Sequence, residues 1–327
     1  MRQGSALSGG RLNEAGDRVR VAVIGVGHLG RHHARILAAL PDVHLSAVVD
    51  IDRDRAAAVA AASGATAAYD YRDVLGRVDA VTLAVPTELH HQIAIAFLEA
   101  GTPVLVEKPM ARTLSEADAI VGAAERGRAL LAVGHTERFN PAVAAARAVL
   151  SDPRFIEVHR LGTFPERSLD IDVVFDLMIH DLDLLLALVP STVESIEAVG
   201  VPVLTGRVDI ANARLRFANG CIANLTASRI SRDRVRKIRF FQPAAYVSID
   251  YATQKVDVWR LSRNGGPMPA IEGSEIAVVN EEPLKCELAD FVDAVRNGRP
   301  PLVTGEAGRR ALALASDVAA AIAKVKS

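Results

Sequence analysis

The chain is poor in cysteine: 327 residues hold only Cys221 and Cys286. That is too few for a disulfide framework and suits a reducing compartment, with both thiols buried or incidental. A basic excess is also missing. The net charge is −1, which argues against a nucleic-acid-binding protein. No apolar run approaches the ~20 residues of a membrane-spanning helix, and the longest candidate, 182–190, is interrupted by Asp183. Residues 1–18 lack the apolar segment of a signal peptide and read as a disordered polar extension. The histidines are scattered without metal-ligand spacing, so no metal is expected. Aromatics are few and alanine is abundant, as in a helix-rich α/β protein. These absences point to a cytoplasmic protein without nucleic-acid or membrane partners. Half of its residues are hydrophobic, and its length allows two domains.

The stretch that organises the rest is Arg20-Val21-Ala22-Val23-Ile24-Gly25-Val26-Gly27-His28-Leu29-Gly30. A buried strand runs into G-x-G-x-x-G, and a helical pattern (Ala34, Leu37, Leu40) begins behind it. Gly25 permits the tight turn, Gly27 lets backbone approach a pyrophosphate, and Gly30 lets helix and strand pack closely. His28 and Leu29 lie in the same turn, and the helix N-terminus offers N–H groups to phosphate. A second apolar strand ends in Asp50, whose carboxylate suits adenosine ribose hydroxyls and repels a 2′-phosphate. NAD is the expected cofactor. Arg53 and Arg55 follow closely and leave NADP open.

Residues 20–135 alternate strand candidates (20–24, 45–49, 79–85, 103–107, 129–133) with helical patterns (31–40, 53–63, 88–100, 115–127), which implies a parallel sheet. Ligands of such sheets sit at the carboxyl ends of the strands. One strand end is Val85-Pro86-Thr87-Glu88-Leu89-His90, where Thr87 is expected to cap the next helix and Pro86, Thr87 and His90 to lie beside the cofactor. Another is Glu107-Lys108-Pro109. Lys108 is held extended by Pro109, which is a candidate for a cis bond, and a cation aimed there orients a hydroxyl and favours its alkoxide. The third is Gly134-His135-Thr136-Glu137-Arg138-Phe139-Asn140-Pro141, whose polar side chains can face the cleft.

Beyond a helix at 141–151 and a strand at 155–160 stands Asp172-Val173-Val174-Phe175-Asp176-Leu177-Met178-Ile179-His180-Asp181-Leu182-Asp183. As a helix, it places Asp176, His180 and Asp183 on one face. A polar stripe on an apolar helix is costly unless it lines a cavity or pairs internally. A histidine there exchanges a proton near neutral pH, and a neighbouring carboxylate tunes it; an isolated one is as well read as a core histidine. Residues 193–200, 208–218, 221–230, 234–242 and 245–250 read as consecutive strands, with Asn219-Gly220 a hairpin turn. Residues 262–282 read as a long loop, followed by helices at 284–297 and 305–325.

Glu107-Lys108-Pro109, the 134–141 segment and the glycine turn together resemble the Gfo/Idh/MocA oxidoreductases, over roughly residues 20–325. The resemblance implies a Rossmann domain with a parallel sheet over 19–140 and an α+β domain with a mostly antiparallel open sheet over 141–327, the terminal helix packing near the Rossmann domain. It implies nicotinamide-dependent oxidation of a sugar, cyclitol or sugar nucleotide. Lys108 matches the family's active-site lysine, His180 its acid/base and Asp176 the partner of that histidine. Gly25, Gly27, His28, Leu29, Gly30, Asp50, Pro86, Thr87, His90, Glu107 and Lys108 are then the expected cofactor residues. Lys108, Arg138, Asn140, Arg167, Asp176 and His180 are the expected substrate residues. The open sheet implies a homodimer or homotetramer.

Residues 236–251 resemble the branch of that family that oxidises the 3-hydroxyl of UDP-N-acetylglucosamine for lipid A precursors. Basic groups facing the cleft would then meet a diphosphate, with Arg138, Arg160, Arg167 and Arg229 as candidates. Free inositol-like substrates are the alternative. A catalytically silent NAD-binding sensor is a third reading, against which the intact Lys108, Asp176 and His180 set argues.

Overall fold

The structure is a computed structural model, and it describes residues 18–164, 171–262 and 270–325. The chain forms two compact units. One runs to Gly134 and takes back Glu287–Gly305; the other comprises His135–Cys286 and continues from Glu306.

In the first unit, β1 (Val19–Ile24), α1 (Gly30–Ala39), β2 (Val43–Val49), α2 (Arg53–Ser63), β3 (Thr66–Ala68), β4 (Ala80–Leu83), α3 (Thr87–Glu99), β5 (Val104–Glu107), α4 (Leu114–Gly127) and β6 (Leu131–Gly134) follow in order. The six strands form a parallel sheet in the order β3-β2-β1-β4-β5-β6. Strands β4, β5 and β6 are buried along their whole length, as their unbroken apolar runs dictate. Chain order reverses between β1 and β4, and the crevice at such a switch point is where a doubly wound sheet takes its ligand. Strand β3 escaped the sequence pattern because its three residues are too few to show a period.

The second unit holds α5 (Pro141–Arg147), β7 (Phe155–Leu161), α6 (Ile179–Leu188), β8 (Val193–Val201), β9 (Ile210–Phe217), β10 (Ile222–Ser228), β11 (Val235–Gln242), β12 (Ala245–Asp250), β13 (Lys255–Ser262) and β14 (Ala270–Ile276). Helix α7 (Pro283–Asn297) runs from it into the first unit, and α8 (Gly305–Val325) lies almost wholly within it. Its eight strands are ordered β14-β13-β12-β11-β7-β10-β9-β8, antiparallel except for the β7–β10 pair. Burial alternates strictly along β9, so one face of the sheet is core. Val174, Met178, Ile179, Leu182 and Leu185 pack there, with Ala311, Leu314, Ala315, Val318 and Ile322 of α8. Gly200 on β8 makes room for α8: a Cβ there would stand 2.8 Å from Ile322. The helix expected near the nucleotide-binding domain thus buries its apolar face in the second unit.

The expected 262–282 loop is corrected. Part of it is β14, an exposed edge strand paired to β13 from Val256↔Ile276 to Ser262↔Ala270. An edge strand with no buried face shows no hydrophobic alternation to read. Gly273 is required opposite Trp259, because a Cβ there would meet the indole nitrogen at 2.8 Å.

Candidate active site

The glycine turn leaves β1 with Gly25 at φ +82°, a left-handed conformation that suits glycine. Its amide donates to Val49 O at 2.7 Å, tying the turn to β2. Gly30 opens α1 so close to the turn that a Cβ would stand 1.8 Å from Gly25 O. At Gly27 a Cβ would meet nothing within 4 Å, so the turn is open on that side. His28 is exposed, its ring edge-on to His32 with centroids 5.8 Å apart, and Leu29 is half-buried. Asp50 is buried and accepts the Val26 amide at 2.9 Å and a two-pronged contact from Arg55. Burial opposes its charge, but the Arg55 hydrogen bonds and the Asp52 and Val26 amides outweigh it and hold the carboxyl below its ordinary range.

At the next strand ends, two expectations change. Thr87 is the first residue of α3 and does not cap it; the cap position is Pro86, whose side chain makes no capping bond. His90 is 1% exposed and faces its own chain, with Nδ1 3.1 Å from Pro109 O and Nε2 3.0 Å from Val85 O. It therefore ties the Val85 loop to the Lys108-Pro109 corner. Burial pushes its imidazole down, against the pull of those carbonyls.

Glu107 is also buried. It pairs with His33 Nε2 at 3.1 Å and accepts the Lys108 amide at 3.2 Å. Gly134 on β6 is what allows this, since a Cβ there would sit 2.9 Å from the Glu107 carboxylate. The Lys108-Pro109 bond is cis, as its sequence suggested, and Lys108 is half-buried at the carboxyl end of β5.

In the second unit, His180 stands near the start of α6, preceded by a π-helical turn at Val174–Met178. That turn is wider than an α-turn and shifts Asp176 relative to the spacing expected of a regular helix. Asp176 and His180 are both half-buried. His135 lies against His180, edge to face, with centroids 6.1 Å apart. Asp183 does not join a cleft-facing stripe; it is buried, 3.6 Å from Arg138 Nη1.

The basic candidates separate sharply. Arg160 forms a fork with Asp181 at 2.7 and 2.9 Å, reaches Glu137 at 2.9 Å and lies over the Tyr251 ring. Burial opposes its charge, yet Asp181 and Glu137 hold the guanidinium well above its ordinary value. Arg229 is buried against Asp209 at 2.9 Å and donates to Ile171 O at 2.8 Å. Both are internal ion pairs, so neither is placed to meet a diphosphate. Asn140 caps α5 through the Ala142 amide and donates to Tyr251 O at 3.1 Å, so its side chain is engaged in the fold. Arg138 is mostly buried, and burial lowers its pKa against Asp183. Arg167 lies outside the described residues. The basic run 232–239 enters β11 only at Val235; Ile238 is buried there, and Lys237 and Arg239, on the opposite face, pair with Asp250 and Glu157.

A family described as "Oxidoreductase family, NAD-binding Rossmann fold" (Gfo/Idh/MocA) matches residues 19–135, and its C-terminal domain matches residues 142–242. The chain belongs to the Gfo/Idh/MocA oxidoreductases. Among its relatives, UDP-N-acetylglucosamine 3-dehydrogenase from Acidithiobacillus ferrooxidans is 40% identical over 93% of this chain and 97% of its own. A solved structure of that enzyme superposes with a TM-score of 0.87 over 93% of this chain and 98% of the other, at 38% identity. Myo-inositol 2-dehydrogenase from Thermotoga maritima is 27% identical over 90% of this chain and 94% of its own.

As a member of this family the protein is an NAD-binding oxidoreductase. Its residues fit the cofactor. Gly27 leaves open space beside the turn, and the buried Asp50 carboxylate stands at the end of β2, where ribose hydroxyls require an acceptor. Among the described residues no cluster of histidine, cysteine or carboxylate side chains could hold a metal, and no helix is long and apolar enough to cross a membrane. Sequence reasoning missed His33. A histidine on the buried face of α1, among Ala34, Ile36 and Leu37, was the available signal, because a buried polar group demands a partner.

Proposed function

We propose that the protein is an NAD-dependent dehydrogenase of a sugar nucleotide, oxidising the 3-hydroxyl of UDP-N-acetylglucosamine to the 3-keto sugar. The observation that carries this reading is the 40% identity to the Acidithiobacillus enzyme, which extends through both units. When bound, NAD supplies a nicotinamide carbon that accepts the hydride. The chain's own groups handle the proton and the charge. His180 takes the hydroxyl proton as general base. Lys108, at the end of β5, stabilises the developing alkoxide. Asp176 acts as a positioning residue that selects the tautomer of His180. The half-burial of Lys108 and His180 strengthens such interactions relative to water while leaving each reachable.

Gly25, Gly27, His28, Leu29 and Gly30 hold the pyrophosphate, and Asp50 the ribose. Pro86 and Thr87 would lie beside the bound cofactor, with His90 and Glu107 supporting the two strand ends. Arg138 and Arg167 remain candidates for the substrate's phosphates. We place the enzyme in the cytoplasm and in the formation of amino-sugar lipid precursors.

We further propose a homo-oligomer joined through the outer face of the second unit's sheet. Phe155, Phe241, Tyr246 and Trp259 form a continuous aromatic row there, with successive centroids 5.5, 5.0 and 5.1 Å apart. Phe241 and Trp259 are each 37% exposed, and an uncovered apolar row of this kind marks an interface. Light scattering of the purified protein at a monomer mass would overturn this.

The activity is tested by incubating the protein with NAD and UDP-N-acetylglucosamine, following NADH by absorbance and the keto sugar by mass. Turnover of myo-inositol in its place would move the substrate to the cyclitol class. Inertness toward a full panel of sugars and sugar nucleotides, with NAD still bound, would reject the dehydrogenase reading.

A further inference from the structure

Both oxygens of the Asp50 carboxylate are saturated by the protein itself. Oδ2 accepts the Val26 amide at 2.9 Å and Arg55 Nε at 3.0 Å. Oδ1 accepts the Asp52 amide at 3.0 Å and Arg55 Nη2 at 2.9 Å. A carboxylate has about four lone-pair sites, so these four donors fill it. The two amides are fixed, one in the glycine turn and one at the residue that caps α2 through the Arg55 amide. The other two donors belong to a single side chain, and it is 44% exposed.

Ribose hydroxyls that donate to Asp50 therefore compete with Arg55 and not with the amides. An ion pair with one partner this exposed costs little to open. Arg53, the other basic residue of this turn, is engaged elsewhere: its guanidinium lies over the Tyr69 ring, 4.3 Å from the centroid. We propose that Arg55 is a specificity-determining residue for the cofactor. It yields the Asp50 oxygens to the ribose hydroxyls of NAD, and its displaced guanidinium binds a 2′-phosphate, so that it sets how far the site admits NADP. Asp50 alone repels a 2′-phosphate; Arg55 neutralises that carboxylate and supplies the planar fork that phosphate oxygens match. The inference rests on Asp50 as the ribose acceptor.

Equilibrium titration of NADH and NADPH by nicotinamide fluorescence tests this without turnover. Arg55→Ala should leave the NADH Kd unchanged or a few-fold tighter and weaken NADPH at least tenfold. Arg55→Lys, which keeps the charge without the fork, should recover part of the NADPH binding. Asp50→Asn should weaken NADH and favour NADPH, and adding Arg55→Ala to it should remove that NADPH gain. Equal weakening of both cofactors in Arg55→Ala would show a prop for Asp50 and overturn the proposal, as would an unchanged ratio of the two Kd values. An unchanged NADH Kd in Asp50→Asn would instead reject the ribose role of Asp50, and the proposal with it. Thermal unfolding of each variant confirms that folded protein is being titrated.

Discussion

Two glycines in the same turn should respond to one methyl group in opposite ways. At Gly30 a Cβ would stand 1.8 Å from Gly25 O, 2.8 Å from Gly25 C and 3.3 Å from the Ala84 side chain. The first two obstacles are backbone, hydrogen-bonded through Gly25 to β2, and cannot rotate away. Gly30→Ala must part α1 from the turn, and overpacking of this kind costs about 3 kcal/mol or more. Melting of the protein should fall by about 5 °C or more. At Gly27 a Cβ meets nothing within 4 Å and the backbone is not left-handed, so Gly27→Ala should leave stability within about 1 kcal/mol of wild type.

The Gly27 methyl would nevertheless occupy the space that the proposed site gives to the pyrophosphate. A loss of about 2–4 kcal/mol of binding weakens NAD roughly 30- to 700-fold. Differential scanning calorimetry gives the first quantity and fluorescence titration of NADH the second. Wild-type NADH affinity in a normally folded Gly27→Ala protein would refute the placement of the pyrophosphate. An unshifted melting temperature in Gly30→Ala would refute the packing of α1 on the turn.

His180→Ala and Lys108→Ala should each lower kcat by about 10²- to 10⁴-fold, the usual contribution of a positioned proton-transfer group, with the NADH Kd within about threefold of wild type. Retained kcat in either rejects its role. Arg229→Met should cost about 3–5 kcal/mol in chemical denaturation because it strands Asp209 as a buried charge; a loss under about 1 kcal/mol would contradict the pairing. Asp209 also accepts the Val203, Leu204 and Thr205 amides. Burial opposes its charge, but Thr205 and those amides hold its pKa far below the ordinary carboxylate value. Its folded pKa is depressed, so its stabilisation is complete above about pH 4 and is lost as pH falls through the acid range. Asp209→Asn should flatten the decline in stability between about pH 4 and pH 2, and an unaltered slope would show that another group carries it.

Much of the fold was legible because its signals are local. An apolar run, a glycine triplet and an acid at the end of the next strand share a few dozen residues, and periods of 2 and 3.6 can be read without knowing any partner. The glycine turn, Asp50, the strand end at Lys108 and the helix carrying His180 all came from such patterns. Other assignments were wrong or missing because their causes are distant in the chain. His33 meets Glu107 across 74 positions, Arg160 meets Asp181 across 21, and Arg229 meets Asp209 across 20. Nothing in the local pattern distinguishes an arginine that faces a cleft from one buried against a carboxylate. That difference is a balance of desolvation and pairing, and the balance exists only after the strands are side by side. Sequence alone therefore determined where the glycine turn falls and which residue types stand at the strand ends. Tertiary structure decided which charged side chains are consumed by the fold, because each is assigned by the partner it meets there.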